Sequence, residues 1–119
     1  MVTQLHTWLA VAAIALVAAV AVEAAWRAFR DLPPSQTTGL LANITLIAVL
    51  IASAGGLGIL VGGGAPADSL HFVYGAIALV ALPLATSLTR NRPPRTAAVI
   101  VLVVAVALLV VIARLFQTG

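Results

Sequence analysis

The chain has no cysteine and no lysine, one methionine, two histidines and three acidic residues among 119. Without cysteine there is no disulfide, no thioether attachment of haem, no iron–sulfur cluster and no thiolate metal site. With Met1 as the sole methionine and two histidines, a copper site lacks ligands. Charge is also scarce. Only 8% of residues are Asp, Glu, Lys or Arg, against 63% hydrophobic, and the mean hydropathy is +1.21. A soluble domain of this length needs more polar side chains than that to cover its surface. The positive charges are six arginines beside apolar runs, not gathered in one basic patch. The pI near 11.3 therefore points to charges that orient membrane spans, not to a nucleic-acid partner.

What is present instead is four long apolar runs, each of the length that crosses a bilayer as a helix. They are predicted over Leu5 to Trp26, Gly39 to Val61, Leu70 to Leu88 and Ala97 to Leu115. Strands would need only about ten residues each, with alternating polarity. The leader Met1-Val2-Thr3-Gln4 carries no basic side chain and the run behind it exceeds a signal core, so the first segment reads as a retained span. Ser35 or Thr37 is expected to cap the second helix and Asp68 the third. Pro83 falls inside the third, where membrane helices tolerate it. The fold class is thus an all-α membrane protein, a single up-down bundle of four transmembrane helices over residues 1–119.

The order of features suggests two related helical hairpins. Leu5-His6 and Leu70-His71 open the first and third runs. Arg30-Asp31-Leu32-Pro33-Pro34 and Arg90-Asn91-Arg92-Pro93-Pro94 connect the runs within each half. The face with these turns carries Arg27, Arg30, Arg90, Arg92 and Arg95, against Arg114 alone opposite. The positive-inside rule puts the turns in the cytoplasm, and both termini and both histidines toward the outer side.

A histidine within a hydrocarbon-length helix is costly and marks a candidate functional site. His6 lies 21 residues before Arg27 and His71 lies 19 before Arg90. At 1.5 Å rise per residue, their depths differ by about 3 Å. The same counting brings Ser53, Gly55, Gly56 and Arg114 into that layer. Neutral imidazole is an axial ligand of haem iron, and bundle cores carry such sites. His6 and His71 are therefore the candidate metal ligands of one haem b. Ala10, Gly75, Gly55 and Gly56 are the small residues that make room, with Ser53 beside them. Arg114 is the expected partner of the propionates.

This arrangement resembles the small transmembrane b-type cytochromes, in particular the architecture of the cytochrome b561 type, whose helical bundle holds histidine pairs on different helices. The resemblance covers all four runs and implies an integral electron-transfer protein. It departs from that type in having one histidine pair instead of two, which implies a single haem near one face. The chain has no soluble domain and no substrate-sized polar constellation, so it is expected to serve as an electron-carrier subunit of a respiratory or photosynthetic complex, not as an independent enzyme. Quinol or a cytochrome c are candidate partners, together with other subunits and lipid. Two other classes remain open. One is a cofactor-free accessory subunit of a membrane complex. The other is a four-span transporter similar in length to small multidrug exporters, but Glu23, the acid within its first span, has Arg27 one turn away.

Overall fold

A computed structural model describes residues 2–66 and 68–118. They form four α-helices: α1 over Val2–Phe29, α2 over Gln36–Val61, α3 over Leu70–Thr89 and α4 over Pro94–Thr118. No strand occurs among the described residues. Each helix is long and apolar enough to cross a membrane. In lipid the backbone must satisfy its own hydrogen bonds, and an uninterrupted helix does so within one segment. The bundle extends 49 Å by 22 Å by 20 Å, longer than the ~30 Å hydrocarbon core it has to span.

The helices extend past the apolar runs by up to three residues because their ends are supplied locally. α2 begins at a capping box, in which the Ser35 hydroxyl accepts from Thr38 N–H and the Thr38 hydroxyl accepts from Ser35 N–H. Ser35, not Thr37, is thus the cap. α4 starts on Pro94 itself, where a missing N–H costs nothing. Ser69 occupies the cap position of α3 without a side-chain capping bond, while the Asp68 carboxylate accepts from Leu70 N–H. α3 continues through Pro83 without interruption.

Both intra-hairpin turns pivot on a left-handed residue, Asp31 at φ 55° and Asn91 at φ 61°. Aspartate and asparagine adopt this region more readily than other non-glycine residues. At the first turn, Leu32 N–H reaches Arg27 O at 2.7 Å and Asp31 N–H reaches Ala28 O. This pair of bonds closes the helix as a Schellman motif. The second turn shares the left-handed residue and has a bond from Arg92 N–H to Thr89 O at 3.3 Å, three residues back.

The core is a set of narrow stripes at alternating three- and four-residue spacing. α1 contributes Ala13, Val17, Val20 and Ala24, and α4 contributes Ala98, Val101, Ala105, Leu108 and Ile112. α3 adds Ala78, Leu82 and Ala85, and α2 adds Thr45, Ala48 and Val49. Alanine dominates inside while Leu, Ile, Val and Phe crowd the outer surface. Small residues at the seams let helix backbones approach, and lipid is an acceptable solvent for the large ones. α1 packs along α2 and α4, and α3 packs along α4, whereas α2 and α3 meet only sparsely. The bundle is therefore closed on three sides and open on the fourth.

Candidate functional site

The loop end of the bundle contains the α2–α3 connection and the beginning of α1. There the gap between α2 and α3 widens into a cavity of about 570 Å³. Its inner end is apolar, formed by Ala13, Val49 and Ala78, and the loop residues Gly64, Ala65 and Pro66 line it as well. Both histidines line it, His6 from α1 and His71 from α3. The volume lies within the range of small-molecule and cofactor pockets.

The imidazoles of His6 and His71 are neighbours, with ring centroids 6.3 Å apart and planes inclined by 54°. Both sit where their helices leave the apolar core, so two sequence-distant side chains share one layer. His6 Nδ1 lies 2.7 Å from the carbonyl oxygen of Ala52 on α2. A carbonyl only accepts, so Nδ1 carries the proton and Nε2 keeps its lone pair. His71 Nδ1 lies 3.4 Å from the Thr118 hydroxyl, which itself donates to Arg114 O at 2.9 Å. With its one proton committed, that hydroxyl accepts from His71, and Nε2 is again the free base. The same tautomer thus follows at both rings, set by partners on different helices.

The other candidate residues divide by what they touch. Gly55 and Gly56 lie against His6: a Cβ at Gly56 would come within 3.3 Å of His6 Cε1, and one at Gly55 would meet the same ring at 3.9 Å. Gly56 makes room for the imidazole, whereas Gly55 would accept a methyl at ordinary contact distance. Ala10 and Gly75 line the cavity, and a Cβ at Gly75 would meet nothing within 4 Å. Ser53 lines it too, its hydroxyl turned back to Val49 O at 2.8 Å. Arg114 is exposed and donates to the Gln117 side chain at 3.0 Å. It is not among the residues lining the cavity.

Two contacts that orient the histidines were not foreseen from the sequence. The Ala52 contact is a backbone carbonyl, which no residue type announces. Thr118 had a faint signal, because it is a hydroxyl one turn beyond Arg114 on the same run.

Among the described residues, no three His, Cys, Asp or Glu side chains gather into a group that would hold a metal ion alone. Two imidazoles suit a metal whose remaining positions come from a macrocycle. With metal–imidazole bonds of about 2 Å and ring centres roughly 1 Å behind each nitrogen, two axial imidazoles have centroids about 6 Å apart. The observed centroid separation matches that spacing. Two imidazoles beside an apolar cavity are a donor set compatible with a haem.

At the opposite, turn end of the bundle, Glu23 forms a polar knot. Its Oε1 accepts from Arg27 Nε at 3.0 Å and from the Ser35 and Thr38 hydroxyls at 2.9 Å each. Its Oε2 is buried without a partner among the described residues. The knot ties the end of α1 to the cap of α2, the surroundings of a structural ion pair.

No protein-family model matches this chain, and no match emerged among curated proteins or among solved structures.

Proposed function

We propose that this chain is an integral membrane b-type haem protein in which His6 and His71 hold one haem b for electron transfer. The observation that carries the reading is the pair of imidazoles 6.3 Å apart, each bonded through Nδ1 to a partner on another helix. A metal-bound histidine regularly donates its second ring N–H in this way, which fixes its tautomer and orientation. The cavity beside the pair has an apolar lining suited to a porphyrin ring. Its mouth toward the loop end gives carboxylates a route to water, and Arg114, outside the lining, pairs with Gln117 and, among the described residues, with no carboxylate.

The haem supplies one-electron chemistry at iron, and the protein's part is to hold, orient and shield it. His6 and His71 would hold it through Nε2, with Ala52 O and the Thr118 hydroxyl orienting the rings through Nδ1, and the apolar stripes exclude water from below. Five of the six arginines flank the turn end, so the positive-inside rule places that end in the cytoplasm and the histidines toward the outer side. One haem near one face does not span the membrane electrically. It works with a donor and an acceptor brought to it, such as quinol, a cytochrome c or another subunit of a larger complex.

An absorption spectrum of the purified protein, oxidised and dithionite-reduced, tests the reading. The expected result is a low-spin haem b spectrum, lost as such in His6→Ala and in His71→Ala while both variants still insert into membranes. An unchanged reduced spectrum in both variants overturns the ligand assignment. The sparse contact between α2 and α3 favours a second reading, a cofactor-free accessory subunit whose open side receives a helix of a larger complex. Absence of any haem spectrum from the intact purified complex selects that reading.

A further inference from the structure

The two imidazoles are held unequally. His6 is a tight fit: its ring lies against Gly56, where even a Cβ would approach to 3.3 Å, and its Nδ1 bond to the Ala52 carbonyl is 2.7 Å long. That carbonyl belongs to the middle of α2 and does not move without the helix. The backbone at His71, second residue of α3, is fixed by bonds of Leu70 N–H to the Asp68 carboxylate, of His71 N–H to Asp68 O and of Asp68 N–H to Thr118 O, so any freedom belongs to its side chain. Its Nδ1 partner is a hydroxyl at 3.4 Å, contributed by Thr118 at the last turn of α4. A bond of that length is marginal, whereas 2.7 Å is short for nitrogen and oxygen. There is also somewhere for the ring to go. Gly75 lies one turn further along α3, lines the cavity, and has open space where a side chain would be.

Resting on the haem reading above, we propose that His71 is the exchangeable axial ligand and that the position it vacates accepts a small neutral diatomic molecule, for which carbon monoxide is the probe. In the exchange the bond between iron and His71 Nε2 breaks and a bond from iron to the carbon of carbon monoxide forms. No electron changes hands and no proton moves, since His71 withdraws as the neutral imidazole. The surroundings select the class of ligand. Phe72, Ala76, Leu79, Leu115 and Phe116 line the cavity near His71. An anion bound against that apolar wall would lose its hydration without a compensating charge, whereas a neutral diatomic would not. Thr118 is a positioning residue in this scheme: its hydroxyl biases His71 toward the bound orientation.

Optical titration of the dithionite-reduced, detergent-solubilised protein with carbon monoxide decides the matter. The wild type is expected to shift its Soret band on adding carbon monoxide, and azide added to the oxidised protein is expected to leave the spectrum unchanged. Thr118→Val, which removes the hydroxyl, should bind carbon monoxide measurably more tightly, by up to about five-fold, the ceiling set by losing one full hydrogen bond to the competing ligand. Thr118→Ser should restore the wild-type affinity. A low-spin haem that ignores saturating carbon monoxide in the wild type and in Thr118→Val overturns the proposal while the haem reading stands. Equal carbon monoxide affinity in the wild type and Thr118→Val would show that His6 departs instead, since of the two rings Thr118 contacts only that of His71, and overturn it equally. A protein that carries no haem removes both.

Discussion

At the scale of single residues, a few side chains depart from an otherwise uniform chemistry, and their meaning lies in their partners. A histidine in an alanine- and valine-rich helix has little to bond with. Here each ring has found one acceptor on a different helix, Ala52 O for His6 and Thr118 Oγ1 for His71. Arg114 presents the complementary case, a permanent cation with an amide for company. A propionate partner at this position would oppose loss of an electron from a haem iron, because removing one raises the positive charge nearby. Arg114→Gln should therefore lower the reduction potential and weaken haem retention, with both axial ligands kept. Arg114→Lys should preserve the potential better than the retention, since it keeps the charge and loses the planar fork that pairs with carboxylates. A redox titration of the three proteins, with haem content measured alongside, provides the check. A wild-type potential and full haem content in Arg114→Gln would leave that arginine facing lipid headgroups.

At the scale of elements, the helices meet through two different devices at their two ends. Toward the loop end, α1 and α2 approach through Gly56, which admits the His6 ring. Gly56→Leu should therefore displace that ring and reduce haem occupancy, since bulk added to a packed site forces its neighbours off their rotamers. Gly58→Leu is the control, because a Cβ there would meet nothing within 4 Å. Equal haem content in the two variants would remove Gly56 from the site. Toward the turn end, α1 and α2 are joined by Glu23, whose Oε1 collects bonds from Arg27, Ser35 and Thr38. Removing the shared acceptor leaves three donors unpaired around a partly buried position. Hydrogen bonds to charged groups contribute about 1.5–3 kcal/mol each, so Glu23→Ala should destabilise the bundle by a few kcal/mol. Glu23→Gln keeps an oxygen at the same place and should lose less. Thermal unfolding in detergent, followed by helical circular dichroism, ranks the variants; equal midpoints for wild type and Glu23→Ala would reduce the knot to a surface contact.

At the scale of the whole molecule, four helices enclose a core on three sides and leave the α2–α3 side open at one end. Both histidines lie near that end, along with the α2–α3 connection, and most arginines lie at the other. Sidedness is then an electrostatic question that labelling answers directly, and the absence of cysteine gives a clean background. Single cysteines at Thr3 and Ala65 should react with an impermeant thiol reagent from outside intact cells, and one at Gln36 should not. Ala65 is preferable to Gly63, whose φ of +94° strains any other residue. The reverse labelling pattern would place the histidines in the cytoplasm and with them the route by which electrons arrive.

The helical architecture was legible in the sequence because one physical constraint dominates it. Apolar runs of membrane length with few charges have one economical backbone solution, so α1 to α4 follow from hydropathy, and the hairpin turns follow from Asp31, Asn91 and the paired prolines. Depth was legible too, since a helix rises a constant distance per residue and counting from Arg27 and Arg90 brings His6 and His71 to one level. Rotation was legible on α1 and α3, where continuing the face of each histidine at the helical period reaches Ala13, Val17 and Val20, and Ala78, Leu82 and Ala85, all buried. Neighbourhood was not, because alanine and valine occupy all sides of these helices and do not say which helix each side meets. Only tertiary packing decided that Gly56 abuts the His6 ring, that a carbonyl of α2 and a hydroxyl of α4 hold the two imidazoles, and that α2 and α3 stand apart. Those are contacts between segments far apart in the chain, and they depend on how four nearly featureless cylinders fit against one another rather than on what each contains.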